Sequence, residues 1–144
     1  MVLRFTVPGP VDTVYAFLAD MDKFVSVHPA ITQMFPIGTN TYQVHETLMI
    51  GPLPYIFSYP AEITGDPVTQ TIRIHATVRR FTHILLEFSL TPTDAGTLVQ
   101  EALSFRSPFP VKPLLRSTFK KQHAILFKNI ASAIAHDSQA AVVR

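Results

Sequence analysis

Alternation of apolar and polar side chains runs through most of the chain and predicts β-strands. Residues 2–7 follow a two-residue period, and the same period recurs in later segments separated by turns rich in glycine, proline, asparagine and aspartate. The predicted strands cover residues 2–7, 32–37, 41–50, 55–64, 69–80, 82–91 and 97–107. Short turns between the last six strands imply an antiparallel meander with one buried and one solvated face.

Three other segments carry apolar residues at helical spacing. Two short helices are predicted between the first two strands, over about residues 11–20 and 22–27. A long helix is predicted from about Pro113 to Ala135, because a stripe at about 100° per residue faces the sheet. That stripe contains Leu115, Phe119, His123, Leu126, Phe127, Ile130 and Ile134.

Composition supports one folded α+β domain over residues 1–144, with a core over about 2–136 and a tail over 137–144. The chain is 47% hydrophobic and 15% charged, with 11 Phe and 4 Tyr for a core or a pocket wall. It has no Cys, which excludes disulfides and thiolate chemistry and agrees with a cytoplasmic location. No signal peptide or membrane span is expected, because no apolar run is long enough.

The order of elements and several local sequences carry a family resemblance. The sequences are Phe5-Thr6-Val7-Pro8, Val14–Asp20, His28-Pro29-Ala30-Ile31, Gly51–Phe57 and Gly96–Val99. Together they resemble the START-like (SRPBCC) superfamily, which includes Bet v 1-type proteins, polyketide cyclases/dehydrases, ubiquinone-binding proteins and a family of carbon-monoxide-dehydrogenase subunits.

This resemblance implies a helix-grip fold. Such a fold has a seven-stranded curved antiparallel sheet, two short helices after strand 1, and a long C-terminal helix covering an apolar cavity. The mouth of the cavity is expected near Gly51–Pro54 and the start of the long helix. Because proteins of this fold bind lipids, hormones, quinones and polyketides or act as enzymes, the fold does not define the function.

Polar residues on the apolar faces are the candidates for chemistry. His123 lies at the centre of the helix stripe, where it is either a buried structural histidine or a ligand-orienting acid or base. Glu101 shares a strand face with apolar side chains, and Arg116 lies two turns before His123 on nearly the same stripe. We therefore predict for Glu101 and Arg116 a structural ion pair or a solvent-reaching position at the cavity mouth, with a ligand anchor as the alternative.

Aromatic residues are predicted to line the ligand pocket. Tyr55, Phe57 and Tyr59 share one strand face, and Phe119 and Phe127 lie on the helix stripe.

Glu46 occupies a strand whose two faces are almost equally polar. Which face of that strand turns inward is left open by the sequence.

No metal or cofactor site is predicted. His45, His75 and His83 lie on three strands, but none follows a ligand spacing such as HExxH, and the latter two face away from the buried positions. Sequences of the GxSxG, P-loop and GxGxxG types are absent.

A basic stretch overlaps the long helix, although the whole chain carries a formal charge of only +2. It contains Arg106, Lys112, Arg116, Lys120, Lys121 and Lys128, with no acidic residue between Glu101 and Asp137. A solvated helix face is the main interpretation, and an anionic ligand or an acidic lipid surface is the alternative. Nucleic-acid binding is not expected, because the net charge is small and no stacking motif accompanies it.

Three functional hypotheses follow. The first is binding of a hydrophobic small molecule, such as a lipid, quinone or polycyclic metabolite, between sheet and long helix. The second is a cyclase/dehydrase-like enzyme with His123 as acid-base, assisted by Glu101 or a tyrosine. The third is an accessory or assembly factor. The sequence leaves open whether the protein is catalytic, and it does not define the oligomeric state.

Overall fold

Seven strands and three helices are present in a computed structural model, which describes the backbone of residues 1–143 and their side chains except at residues 50 and 139–143. The elements are β1 (Val2–Val7), α1 (Val11–Ala19), α2 (Met21–Val27), β2 (Ile31–Gly38), β3 (Thr41–Ile50), β4 (Leu53–Asp66), β5 (Thr71–Val78), β6 (Thr82–Thr93), β7 (Gly96–Arg106) and α3 (Lys112–Val143). The strands form one antiparallel sheet in the order β1-β7-β6-β5-β4-β3-β2. The predicted helix-grip fold is confirmed.

The two short helices carry the chain between opposite edges of the sheet, because β1 and β2 are successive in sequence but lie at its two ends. Asp20 separates the helices and caps α2, since its carboxylate accepts hydrogen bonds from the backbone N–H of Asp22 at 3.0 Å and of Lys23 at 3.2 Å. The second helix ends at His28, before Pro29, as expected for a residue that precedes proline.

Close packing at the start of β7 holds β1 against the sheet. Gly96 has φ +132°, and a Cβ added there would lie 2.3 Å from the carbonyl oxygen of Val7, so no larger residue fits. The Thr97 hydroxyl donates to the carbonyl of Gly9 at 2.9 Å. These contacts hold the end of β1, from which the chain continues into α1, against β7.

The core lies between the concave side of the sheet and the part of α3 from His123 to Ile134. The alternation predicted for β6 and β7 is confirmed, because alternate residues from Ile84 to Leu90 and from Thr97 to Phe105 are buried. In α3, Leu126, Phe127, Ile130 and Ile134 are buried, and the Phe127 ring stacks on Phe5 with centroids 4.5 Å apart. Each fully buried side chain of this size contributes about 1.5–3 kcal/mol relative to an exposed one.

Several strand boundaries differ from the sequence prediction by one or two residues, and the end of the long helix differs by more. β5 ends at Val78 because Arg79 and Arg80 have φ values of 52° and 66°, which lie outside the extended region. The long helix continues to Val143, through residues that were predicted as a tail.

Candidate functional site

An open cavity of about 600 Å³ lies between the sheet and the first half of α3. Side chains from β3, β4, β5 and β6 form one wall, and α3 with the loop before it forms the other. Its rim carries Phe81, Phe109 and Leu114, all more than half exposed. The mouth is therefore at the start of α3, as predicted, but the Gly51–Pro54 turn does not line it.

The sheet wall of this open cavity is a row of aromatic rings. Tyr55, Phe57 and Tyr59 alternate along β4, so they share one face. Neighbouring rings stack with centroid distances of 5.2 Å and 5.8 Å. The Arg79 guanidinium lies 5.1 Å from the Tyr55 ring centroid, which places a cation at the mouth.

A smaller inner cavity of about 50 Å³ continues toward α2. Both cavities share one set of lining residues, which we call the neck: Glu46, Tyr59, Ile84, Phe119 and Gln122. The inner cavity has about a twelfth of the volume of the open one. Most of a ligand must therefore lie in the open cavity, and only a small part of it can reach the inner cavity through the neck.

Glu101 and His123 form a buried hydrogen-bonded pair. Glu101 is 0% exposed on β7 and His123 is 2% exposed on α3, and the Nδ1 atom of His123 bonds both carboxyl oxygens of Glu101. His123 also lines the inner cavity, whereas Glu101 lines neither cavity. A carboxyl group behind Nδ1 orients the imidazole and leaves Nε2 as the nitrogen available to the cavity.

His28 is a second histidine of the inner cavity, and its tautomer is fixed by the local backbone. Its Nδ1 accepts hydrogen bonds from the N–H groups of Ala30 at 3.1 Å and Ile31 at 3.0 Å, so the proton of the neutral ring is on Nε2. Burial, and secondly the nearby His123, lower the pKa of His28 to about 3. His28 is therefore neutral at physiological pH.

Glu46 and Tyr59 are the polar groups of the neck with perturbed acidity. Burial raises the pKa of Glu46 to about 7. Burial, and secondly the charge of Glu46, raise the pKa of Tyr59 well above its ordinary value. Neither side chain has a hydrogen-bond partner among the described residues.

Five of the eight predicted site residues line a cavity. Tyr55, Phe57, Tyr59 and Phe119 line the open cavity, and His123 lines the inner one. The three others do not.

Glu101 lies behind His123, and Phe127 packs in the core against Phe5 and Phe88. The predicted inward position of Arg116, and its pairing with Glu101, are wrong. Arg116 is exposed and the partner of Glu101 is His123.

The error at Arg116 has a geometric cause. In the first half of α3 the face toward the cavity consists of Leu115, Thr118, Phe119 and Gln122. Arg116 follows Leu115 by about 100° around the helix and so turns away from this face. The buried face of α3 shifts around its axis between the two halves, and sequence periodicity alone does not reveal such a shift.

Glu46, Gln122 and His28 are among the polar cavity residues that were missed as site candidates. Glu46 shares the inward face of β3 with Val44 and Leu48, which settles the orientation that the sequence left open. Gln122 directly precedes His123 in α3. Its spacing of three residues from Phe119 was the sequence signal that could have indicated its position on the cavity face. For His28, the sequence offered no indication of a site residue beyond its position before Pro29.

The opposite face of the sheet carries a second, more polar groove. It has a volume of about 520 Å³ and contains the Arg73–Glu87 ion pair, with a nitrogen–oxygen distance of 2.6 Å. His75 and His83 bond each other at 3.1 Å on this face, away from the cavities. Among the described residues there is no cluster of three potential metal ligands, and no helix is long and apolar enough to cross a membrane.

Comparisons with known proteins agree with this architecture. The sequence model of a family described as "Polyketide cyclase / dehydrase and lipid transport" matches residues 1–135. A START superfamily protein from Mycobacterium smegmatis has a similar fold, with a TM-score of 0.76 and 14% identity, covering 94% of this chain and 97% of that chain. The Zhui aromatase/cyclase from a Streptomyces species gives 0.72 and 15%, with coverages of 98% and 96%.

A third similar structure is that of Ara h 8.0201. Its TM-score is 0.76 at 16% identity, covering 94% of this chain and 97% of that chain. At such identities the likeness establishes the fold alone. No curated protein matches the chain in sequence.

Proposed function

The chain belongs to the family of polyketide cyclases/dehydrases and lipid-transport proteins, and from this premise we propose that it binds a hydrophobic small molecule in the open cavity. A lipid, a quinone or a polycyclic metabolite has the required character. The observation that carries the proposal is the aromatic-lined cavity of about 600 Å³. This volume lies within the range of about 300–1,000 Å³ that is usual for small-molecule sites.

The chemistry of the lining favours an apolar ligand with few polar atoms. Stacked rings on β4 offer a flat surface, and Leu115 and Phe119 of α3 face it across the cavity. Each methylene moved from water into such a site contributes about 0.8 kcal/mol. The few polar side chains, at the mouth and the neck, are then available to orient the ligand.

A plugged cavity tests the proposal. Thr118→Trp places an indole in the open cavity, and Ser117→Trp places the same group on the exposed side of α3. With delipidated protein and the neutral fluorescent probe N-phenyl-1-naphthylamine, we expect Thr118→Trp to weaken binding at least about tenfold and Ser117→Trp to leave it unchanged. Equal binding by both variants, or no binding by the unaltered protein, would contradict the proposal.

Catalysis of the cyclase/dehydrase kind is the second candidate, and the Glu101–His123 pair favours it. An imidazole oriented by a carboxyl group is an effective acid-base group if a substrate atom comes within hydrogen-bond reach. Since His123 lies beyond the neck, the reacting group of a substrate would have to pass Glu46 and Tyr59.

A linear triketone that cyclises with loss of water to an aromatic diol provides the assay. If the protein is an enzyme, it accelerates this reaction and His123→Gln, whose amide still donates to Glu101, abolishes the acceleration while probe binding remains. A rate equal to that in buffer would remove this candidate.

The remaining sequence predictions, which concern location, partners and an accessory role, stay predictions. They are a cytoplasmic location, the absence of nucleic-acid binding, peripheral membrane contact as the alternative to a solvated basic face, and a role as an accessory or assembly factor. A collapsed cavity would have favoured the accessory role, and the open cavity of about 600 Å³ does not.

A further inference from the structure

Glu46 is a half-buried acid without a protein partner among the described residues, and it lines a cavity made mostly of hydrocarbon. It projects from β3 into the neck, and its neighbour across the strand pair is Phe57, the middle ring of the aromatic wall. No hydrogen bond or ion pair to its carboxyl group occurs among the described residues. Glu46 lines both cavities, so its unpaired carboxyl group is in reach of a ligand that occupies either one and can complete its hydrogen bonding.

The charged and titratable groups around the neck do not neutralise Glu46. His28 is held neutral by its two backbone hydrogen bonds and by burial. His123 is engaged by Glu101 through Nδ1. Arg79 lies at the mouth, over the Tyr55 ring. The remaining neighbour, Tyr59, is a neutral phenol that donates but supplies no positive charge.

We propose that Glu46 is the specificity-determining residue of the cavity, where its protonated carboxyl donates a hydrogen bond to a carbonyl oxygen of a neutral lipophilic ligand. This inference rests on the proposed binding function and adds the chemical class of the ligand. The apolar part of the ligand lies on Tyr55 and Phe57, and its carbonyl group points into the neck. The inner cavity beyond the neck is too small for more than a short extension of the ligand.

A carbonyl acceptor fits this site better than an ammonium group. The pKa of Glu46, raised to about 7 by burial, leaves a large fraction of the acid protonated near neutral pH. Arg79 also lines the open cavity at its mouth, so a cation would have to pass a like charge.

The pH dependence of recognition follows from the protonated donor. Below about pH 7 the carboxylic acid donates to the ligand oxygen. Above it the carboxylate and the carbonyl oxygen are both acceptors and repel each other. Selectivity for a carbonyl group is therefore present at pH 6 and lost at pH 8.5, while Tyr59 does not titrate in this range.

Two probes of nearly equal shape isolate this contact. The affinities of 2-acetylnaphthalene and 2-ethylnaphthalene are measured at pH 6 and pH 8.5 for the unaltered protein, Glu46→Gln and Glu46→Leu. At pH 6 we expect the ketone-to-hydrocarbon affinity ratio to be about 3- to 10-fold higher with Glu46 than with leucine. The difference vanishes at pH 8.5, whereas Glu46→Gln keeps its ratio at both pH values because an amide donates without titrating.

Each contrary outcome has a distinct meaning. If both probes bind but the ratio is the same in Glu46→Leu, or is lost only in Tyr59→Phe, the inference about Glu46 is overturned and the proposed function stands. Preference for 1-(2-naphthyl)ethylamine that increases from pH 6 to pH 8.5 would assign the site to a cation instead. If neither naphthalene binds, the proposed function fails together with the inference.

Discussion

The interior contains two carboxyl groups in opposite situations. Glu101, at the sealed end, lies wholly inside the protein and is bonded to His123. Glu46, at the neck, borders an open cavity and has no partner among the described residues.

The comparison gives the two carboxyl groups different roles: Glu101 supports the fold, and Glu46 faces the ligand cavity. The bonded Glu101 carboxyl specifies how α3 packs on β7. Removing either member of the pair leaves the other buried without its partner, which is costly in free energy. A carboxyl at the neck has no such role in the fold. Loss of Glu101 should therefore affect stability most, and loss of Glu46 should affect ligand selectivity most.

The largest expected effect comes from breaking the sealed pair. In Glu101→Leu the His123 imidazole remains buried without its partner, and we expect the free energy of unfolding to fall by about 3–5 kcal/mol. Urea unfolding at pH 7 measures it. Replacing both residues by leucine should recover most of the loss, and a loss below about 1 kcal/mol in the single variant would contradict a structural role.

A smaller effect is expected from the titration of His28. Its pKa is lowered from 6.5 to about 3 on folding, so below pH 6.5 the unfolded chain binds a proton that the folded chain does not. The contribution of His28 to the free energy of unfolding is fully present above pH 6.5. It falls by about 2 kcal/mol as the pH decreases to 5, at about 1.4 kcal/mol per pH unit.

The matched variant is His28→Asn, whose side-chain oxygen accepts the same two backbone hydrogen bonds without titrating. We expect its unfolding free energy to lack this contribution over the same pH range. Identical pH profiles for the two proteins would show that His28 is not held neutral.

The smallest effect on stability is expected at the neck. The pKa of Glu46 is raised from 4.5 to about 7, so the folded chain keeps a proton that the unfolded chain releases, and stability decreases as pH rises between these values. Glu46→Leu should then be about 1 kcal/mol more stable than the unaltered protein at pH 8.5, because water in the open cavity offsets much of the burial. Destabilisation of the variant at that pH would show that Glu46 supports the fold.

Much of the fold was predictable because local patterns and global packing agree. The two-residue period gave all seven strands, and it placed Glu101 on the buried face of β7 because a strand face is defined by parity alone. His123 was equally accessible to prediction, since it lies with Leu126 and Ile130 on the buried stripe of α3 that follows the expected period.

The site was less predictable, because it depends on relationships between elements. Arg116 satisfies the same helical period as His123, yet the early part of α3 presents a different face to the cavity. Glu46 lies on a strand whose faces are similar in polarity, so only its pairing with β4 and the position of α3 identify the inward side. The partner of Glu101 could not be read from spacing, since it depends on how α3 crosses β7.

A crystal structure of the protein with 2-acetylnaphthalene at pH 6 tests the central claim most directly. We predict that the ring system lies against Tyr55 and Phe57 in the open cavity and that the keto oxygen lies within hydrogen-bond distance of the Glu46 carboxyl. A probe bound in the polar groove on the opposite face of the sheet, or an open cavity closed by its own side chains, would contradict it.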